Sequence, residues 1–365
     1  MSDLNQDAIQ QDRMWMQKAI ALAKLGQYST RPNPNVGCVI VKDGQLVGEG
    51  FHPKAGQAHA EVFALQAAGE KAQGATAYVT LEPCAHYGRT PPCAKALVEA
   101  GIAKVVIACA DPNPLVAGKG VQILKDAGVV VAVGICELEA KQLNKGFLKA
   151  MATDMPYVRL KVASSLDGRT AMASGESKWI TGAEAREDVQ HWRAISGAVI
   201  TGINTVLADD CQLNVRQLPD VDITTIVQPK RVVLDRQGRL PLNAKILEVP
   251  ETVMVMGPFR PELAGLGVVQ LEVQSLSDLL RTLKDFHIYD VLIEAGATLA
   301  TAFLQEQLVD EMISYVAPTF LGQSAQTMFN AKFNTMAEQL RFKLADVTQM
   351  GNDLRLSLIP LQETV

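Results

Sequence analysis

His59-Ala60-Glu61, then Pro83-Cys84, then Pro91-Pro92-Cys93, constrain this chain more than any other feature of it. One imidazole and two thiolates can hold a zinc ion and leave its fourth position open for water. An open position separates a catalytic zinc from a structural one. The fold must therefore bring three side chains from separate stretches of sequence to one point. Glu61, two residues from the imidazole, stands close enough to handle the protons of that water.

This is the layout of zinc-dependent base deaminases, in which activated water attacks a ring carbon bearing an amino group and a non-ligand Glu shuttles protons. One departure stands out. The common signature is Pro-Cys-x-x-Cys, whereas here the eight residues Ala85 to Pro92 separate Cys84 from Cys93. That insert must loop out and return. It carries His86 and Arg89, and a loop beside a metal is where substrate contacts sit. The competing reading is a closed zinc knot with His86 as fourth ligand. It would leave Glu61 without a task, in a chain long enough to fold without a metal staple.

At 365 residues the chain is long for one domain, and two are expected. With 48% apolar and 20% charged residues a sizeable core is available. A net charge of −5 argues against a general nucleic-acid or anionic-membrane binder, while leaving room for a local phosphate site. The apolar runs are too short and too often interrupted to span a bilayer. The polar, acidic stretch MSDLNQDAIQQDR is the opposite of a secretory signal, so the expected compartment is the cytoplasm, with reduced thiols. Zinc accounts for Cys84 and Cys93. Cys38, Cys109, Cys136 and Cys211 read as small core hydrophobes.

Periodicity places the motifs on elements. Residues 1–11 read as a frayed tail, followed by a helix through Trp15, Ala19, Leu22 and Ala23. Val36–Val41 and Gln45–Phe51 read as strands joined by the hairpin turn Asp43-Gly44. A helix over 60–70 would put His59 and Glu61 at its start, where helix-end potential helps keep Glu61 ionised. A strand over 77–81 would deliver Glu82-Pro83-Cys84. Pro92 would open a second helix and Gly101 end it, with Cys93 in its first turn, where the dipole favours thiolate. The metal would then lie between two helix N-termini. Strands at 104–108 and 129–133, a helix near 121–127 and a helix over 138–153 complete an α/β layered unit. Asp154-Met155-Pro156 breaks the pattern, giving expected domains of 1–153 and 154–365. The second restarts as α/β: strands at 157–163, 198–202, 231–235, 252–256, 268–273 and 291–295, helices at 183–195, 275–286 and 297–307, and a closing strand pair within 340–360.

Longer stretches carry a family resemblance over nearly the whole chain. Thr30 to Gly37, His59-Ala60-Glu61 and Leu81 to Cys93 resemble the bifunctional riboflavin-biosynthesis deaminase/reductase family, whose own pattern includes the long cysteine spacing. So do Lys161 to Arg169, Gly175 to Thr181, Asn204 to Asp210 and Glu294-Ala295-Gly296. The resemblance implies a cytidine-deaminase-like α/β/α domain followed by a dihydrofolate-reductase-like α/β domain. It implies zinc-dependent hydrolysis of the 2-amino group of 2,5-diamino-6-(5-phosphoribosylamino)pyrimidin-4-one, then hydride transfer from NADPH to the ribose C1′, opening the sugar to ribityl. The zinc ligands would be His59, Cys84 and Cys93, with Glu61 catalytic.

The family's cofactor contacts fall on Ala163, Trp179, Thr205, Asp209 and the loop from Gly296. Its substrate contacts fall on Ser177, Arg193, Leu213, Arg216 and Glu294. Arg193 and Arg216 suit a ribose phosphate because a guanidinium can pair two phosphate oxygens; surface salt bridges are the plainer reading. Trp179 as core filler is likewise the plainer reading of that residue. Lys161 is a further candidate anion contact, and Asp209 or Glu294 a candidate to protonate or orient the opening sugar. Arg236 stands where the family often has Ser, so it either pairs the 2′-phosphate of NADPH or points away. Asn33 and Asn35 either bond the substrate or do turn chemistry. Taken without the resemblance, the second half reads only as an α/β domain. It has no G-x-G-x-x-G, and Glu294-Ala295-Gly296-Ala297 offers only a helix start that could cradle phosphates.

Two rivals remain at this stage. One is a deaminase of another substrate, a nucleoside or a tRNA base; low basicity opposes the tRNA and the second-half motifs oppose the stand-alone nucleoside enzyme. The other is a zinc-stabilised interaction module with a silent second half, which would leave Glu61 and those motifs unexplained. The expected partner is a small phosphorylated pyrimidine, with no nucleic acid and no membrane. A homodimer or higher homo-oligomer is compatible with such folds.

Overall fold

A computed structural model describes residues 3–85, 91–114 and 116–361. The chain divides into two compact units, Met1–Asp154 and Met155–Val365. The division falls one residue later than expected: Asp154, in the left-handed region with φ 63°, caps the last helix of the first unit and so ends it.

The first unit runs α1 (Asp3–Lys24), β1 (Gly37–Lys42), β2 (Gln45–Phe51), α2 (Ala60–Ala68), β3 (Thr76–Leu81), α3 (Cys93–Glu99), β4 (Lys104–Cys109), α4 (Lys119–Asp126), β5 (Val130–Val133), α5 (Glu137–Leu143) and α6 (Lys145–Thr153). Its sheet has the order β2-β1-β3-β4-β5. β1 is antiparallel to both neighbours, while β3, β4 and β5 are parallel. Apolar residues fill both faces of the central strands, as a sheet covered on both sides requires. On one face Ala60, Ala64, Ala94, Leu97 and Leu124 from α2, α3 and α4 pack on Ile40, Val79 and Ile107. On the other, Met16, Ala19 and Ile20 of α1 and Ala140 of α5 pack on Val39, Val41, Tyr78 and Val106. The result is the expected α/β/α layering. Small residues set its spacing. A Cβ on Gly50 of β2 would lie 2.7 Å from the Ala60 carbonyl oxygen and 2.8 Å from the Ala64 nitrogen, so α2 rides directly on the strand backbone.

Two local expectations fail. The supposed tail is helical from Asp3, because no Gly or Pro interrupts residues 3–24 and Met16, Ala19, Ile20 and Ala23 anchor the helix from within. The single helix over 138–153 is two helices broken at Asn144 (φ −131°, ψ 30°). The Asn144 side chain accepts from the Asn35 N–H at 2.7 Å and donates to the Asn35 carbonyl at 2.9 Å, which draws it out of helical register.

The second unit runs β6 (Tyr157–Ser165), β7 (Arg169–Ala171), α7 (Ala183–Ile195), β8 (Ala198–Gly202), α8 (Ile203–Asp209), β9 (Lys230–Leu234), β10 (Val253–Met256), α9 (Pro261–Gly265), β11 (Val269–Leu271), α10 (Leu276–Asp285), β12 (Asp290–Glu294), α11 (Ala297–Gln305), β13 (Glu311–Ala317), β14 (Gln326–Thr327), β15 (Phe342–Met350) and β16 (Asp353–Pro360). Nine strands form one sheet in the order β11-β10-β9-β8-β12-β6-β13-β16-β15. β11 through β13 are parallel, and β16 and β15 add an antiparallel hairpin at one edge. Helices cover both faces: α10 and α11 pack on Leu160, Ile200 and Val232, while α8 and α9 pack near Val199, Val233 and Val255. Alternating residues of β9 thus serve opposite cores. β7 and β14 form a separate small ladder. The sequence reading missed α8 and β13, and with them the short β7, α9 and β14. Among the described residues no helix is long and apolar enough to cross a membrane.

Candidate active sites

The structure brings His59, Cys84 and Cys93 together, with their ligand atoms all within 4.8 Å of one another. Each arrives from a different element. His59 is the N-cap of α2, Cys84 follows the end of β3, and Cys93 is the first residue of α3 after the N-cap Pro92. His59 Nδ1 stands 3.2 Å from Cys93 Sγ and 3.7 Å from Cys84 Sγ. Ligand bonds of zinc-site length set tetrahedrally would separate N and S by roughly 3.5 Å, so the donor set fits zinc in type and spacing. The two thiols are pushed in opposite directions. The hydrogen bond from Cys93, then those from His59 and the Cys93 N–H, push the Cys84 thiol down to about 4 against burial. The same bond, with burial, pushes Cys93 up. The Cys84 hydrogen bond raises the His59 imidazole. The three donors thus bond one another around the place a cation would take.

Glu61, in the first turn of α2, is 3% exposed. Burial lifts its carboxyl to about 7, with the His59 charge opposing and the Cys84 charge adding. A buried carboxyl beside the ligands, poised near neutrality, is the property a proton carrier needs. His52, which the sequence reading passed over, lies edge-on to the His59 ring with centroids 5.3 Å apart. Its Nε2 is 3.0 Å from Asn33 Nδ2 and its Nδ1 3.0 Å from the Ala58 carbonyl. Asn33 therefore joins the wall beside the metal ligands. Asn35 does not: its side chain donates to the Leu143 carbonyl at 3.0 Å and accepts from the Thr30 hydroxyl at 2.9 Å, which is structural work. His86 and Arg89 fall outside the described residues.

In the second unit a cleft of about 820 Å³ opens at the C-terminal ends of β8, β9 and β12, where open parallel sheets bind their ligands. Thr205, Arg236 and Gly296 line it. Gly296 is the N-cap of α11, and Ala297, Thr298 and Leu299 of its first turn also face the cleft. Arg239 and Asn330 also line it and were missed in the sequence, where Asn204 stood only within the Asn204–Asp210 stretch, with no role given to it. Arg239 Nη2 donates to Asn204 Oδ1 at 2.9 Å. Only the structure marks their meeting, since α8, the segment after β9 and the segment after β14 bring them together.

Arg193 and Glu294 form a second cluster. Arg193 Nε and Nη2 donate to the two Glu294 oxygens at 2.5 and 2.9 Å, and Arg193 Nη1 donates to the Asn214 carbonyl at 3.2 Å. Both residues are buried, which corrects the surface salt-bridge reading of Arg193. Burial pushes the Glu294 carboxyl up, but Arg193, Lys161 and Arg216 outweigh it and hold the group below its ordinary value. Lys161 Nζ lies 3.9 Å from Glu294, and burial lowers its amine. Glu294 is thus an ionised anchor and a poor proton donor.

The remaining sequence candidates are scattered. Trp179 is 71% exposed, which overturns the core-filler reading; the Arg186 guanidinium lies 4.2 Å over its ring. Ser177 is half-buried, and Arg216 and Asp209 are exposed. Leu213 is buried, with φ 54°. Ala163 packs against the cluster of Val189 and Tyr315. None of these six lines the cleft.

Fold and site define a class: a cytidine-deaminase-type zinc enzyme unit carried on one chain with a second, ligand-binding α/β unit. Residues 9–109 match the cytidine and deoxycytidylate deaminase zinc-binding region, and residues 156–356 match the RibD C-terminal domain. The chain is 48% identical to the riboflavin biosynthesis protein RibD of Haemophilus influenzae, over 96% of this chain and 98% of that one. The solved structure of Acinetobacter baumannii RibD is 77% identical, with a TM-score of 0.95 over 97% of this chain and all of the other. A diaminohydroxyphosphoribosylaminopyrimidine deaminase/5-amino-6-(5-phosphoribosylamino)uracil reductase from Thermotoga maritima is 34% identical, with a TM-score of 0.87 over 97% of this chain and 100% of that one. The chain belongs to the RibD family, the bifunctional deaminases and reductases of riboflavin biosynthesis.

Proposed function

We propose that the chain removes the 2-amino group of 2,5-diamino-6-(5-phosphoribosylamino)pyrimidin-4-one as ammonia and then reduces the ribosyl group to ribityl with NADPH. The first step belongs to the unit ending at Asp154, the second to the unit beginning at Met155. The observation that carries the reading is the convergence of His59, Cys84 and Cys93 beside the buried Glu61. The activity named for the Thermotoga relative and the match of the second unit supply the rest.

His59, Cys84 and Cys93 would hold the zinc, leaving one position open. When bound, zinc activates water for attack at neutral pH. The Glu61 carboxylate takes a proton from the attacking water and passes it to the departing amine, so the ring gains a carbonyl and ammonia leaves. Burial at Glu61 excludes bulk water from that transfer.

In the second unit, NADPH supplies the hydride. The open N-terminus of α11 at Gly296 suits its pyrophosphate. Thr205 lines the same cleft, and Arg236, with Arg239 beside it, suits the 2′-phosphate. Ala163, Trp179 and Asp209, which stand outside that cleft, keep the cofactor roles that the resemblance gives them. Arg193, Glu294 and Lys161 form a charged anchor for the substrate's polar sugar, with the Arg216 charge also acting on Glu294; Ser177 and Leu213 keep the substrate roles that the resemblance gives them. With Glu294 held ionised, it orients the opening sugar. The protein works in the cytoplasm, where its ligand thiols stay reduced.

The test is a coupled assay on zinc-loaded protein with the diaminopyrimidine ribosyl phosphate, following ammonia and NADPH absorbance together. Ammonia release followed by NADPH loss is expected. Ammonia without NADPH loss would remove the reductase assignment, and neither signal from folded, zinc-bound protein would remove both.

A further inference from the structure

Glu82 has no part in the roles assigned so far. It directly follows β3, two residues before Cys84, and is 4% exposed. Main-chain donors fill its carboxylate. Oε1 accepts from the N–H groups of Gly120 at 3.1 Å and Val121 at 3.3 Å. Oε2 accepts from those of Gly118 at 3.2 Å and Asp111 at 3.3 Å. Three of these donors surround the start of α4, whose dipole favours negative charge there. The backbones approach so closely that a Cβ on Gly120 would stand 2.0 Å from the Pro83 carbonyl oxygen. The clamp therefore grips Glu82 through its carboxylate and Pro83 through its backbone, and Cys84 comes next.

A carboxylate at a helix N-terminus can serve that helix alone. Two observations extend its reach here. Pro83 has a fixed φ, so displacement of Glu82 passes to Cys84 with little slack. Cys84 in turn is tied to α3: its carbonyl accepts from the Ala94 N–H at 3.2 Å, and its sulfur from the Cys93 N–H at 3.3 Å. The end of β3 is thus a short bridge, held by α4 at Glu82 and joined to the other cysteine ligand at Cys84.

We propose that Glu82 is a positioning residue of the metal centre, its clamped carboxylate fixing where the Cys84 thiolate stands relative to His59 and Cys93. The proposal rests on the zinc reading above. It concerns metal geometry, with no direct role in proton transfer.

The experiment compares the full-length parent with Glu82→Gln and with Val121→Pro. Glutamine turns one acceptor oxygen into a donor facing two N–H groups. Proline at Val121, within the first turn of α4, deletes the single N–H given to Glu82 and breaks no bond within the helix. The readouts are the dissociation constant for zinc against a competing chelator and the visible spectrum of the cobalt-substituted protein, which reports thiolate geometry. Glu82→Gln is expected to weaken zinc binding by about 10- to 100-fold, the range for outer partners of metal ligands, and to shift the cobalt bands. Val121→Pro should move both readouts the same way by less. Parent-like affinity and spectrum in both variants would overturn the proposal while leaving the zinc centre intact. Should Glu82→Gln fail to fold, Val121→Pro decides by the same readouts. Loss of the fold in both would assign Glu82 to stability alone, also overturning it. A parent that takes up no zinc would overturn the zinc reading and this proposal together.

Discussion

Glu61 and Arg193 show how burial gives single residues their chemistry. Glu61→Gln keeps the volume and removes the proton carrier, so ammonia release should fall by at least about 10²-fold. NADPH oxidation with pre-deaminated substrate should not change; loss of both activities in a folded variant would sink the division of labour. The raised Glu61 carboxyl also links stability to pH. Its folded value, about 7, lies above its ordinary 4.5. The contribution is therefore fully present below the lower value and lost as pH rises through the upper one. Metal-stripped parent should lose stability relative to metal-stripped Glu61→Gln between about pH 5 and about pH 8; parallel denaturation midpoints across that window would contradict it. At Arg193 desolvation decides. Arg193→Ala strands the buried Glu294 carboxylate and should cost about 3–5 kcal/mol, whereas Arg193→Met with Glu294→Leu should cost much less. Urea unfolding of both variants checks this, and equal losses would show that the ion pair is not what the site depends on.

At the scale of elements, Asn144 separates two helices that periodicity alone would merge. Asn144→Ala leaves the partly buried Asn35 N–H without its acceptor and should cost about 1 kcal/mol, read as a lowered thermal midpoint of the first unit. An unchanged midpoint would mean that water or a neighbour replaces the amide. The same comparison shows what the sequence could and could not convey. The Asp43-Gly44 hairpin was legible because turn chemistry is local, and the metal ligands because their residue types and order are rare together. The break at Asn144 was hidden because its partner, Asn35, lies 109 positions away. Arg193 and Glu294, 101 positions apart, read separately as two polar residues. The cleft in the second unit was invisible for a related reason: the segments that follow β8, β9 and β12 each contribute a few residues, and none carries a glycine-rich fingerprint of its own. Most strands of that unit were legible from their apolar runs. β13 was missed although it is almost wholly buried, since Ser314 and Tyr315 interrupt its apolar pattern.

At the scale of the whole molecule, the two compact units carry chemistries with different requirements. Stripping zinc with a strong chelator should abolish ammonia release and leave NADPH oxidation of the deaminated substrate at its parent rate, with zinc restoring the first. A parallel loss of both rates would mean that the units do not work independently. Division into two units on one polypeptide has a consequence for supply. Every ribosome that completes one catalyst completes the other, so their copy numbers stay equal at any level of expression. Changing synthesis or degradation scales both steps together and cannot favour one. Metal availability is different, because it acts on one half of each copy. In a zinc-starved cell the ratio of working sites would drift while the ratio of protein stayed at unity, and undeaminated precursor would build up ahead of an idle reductase.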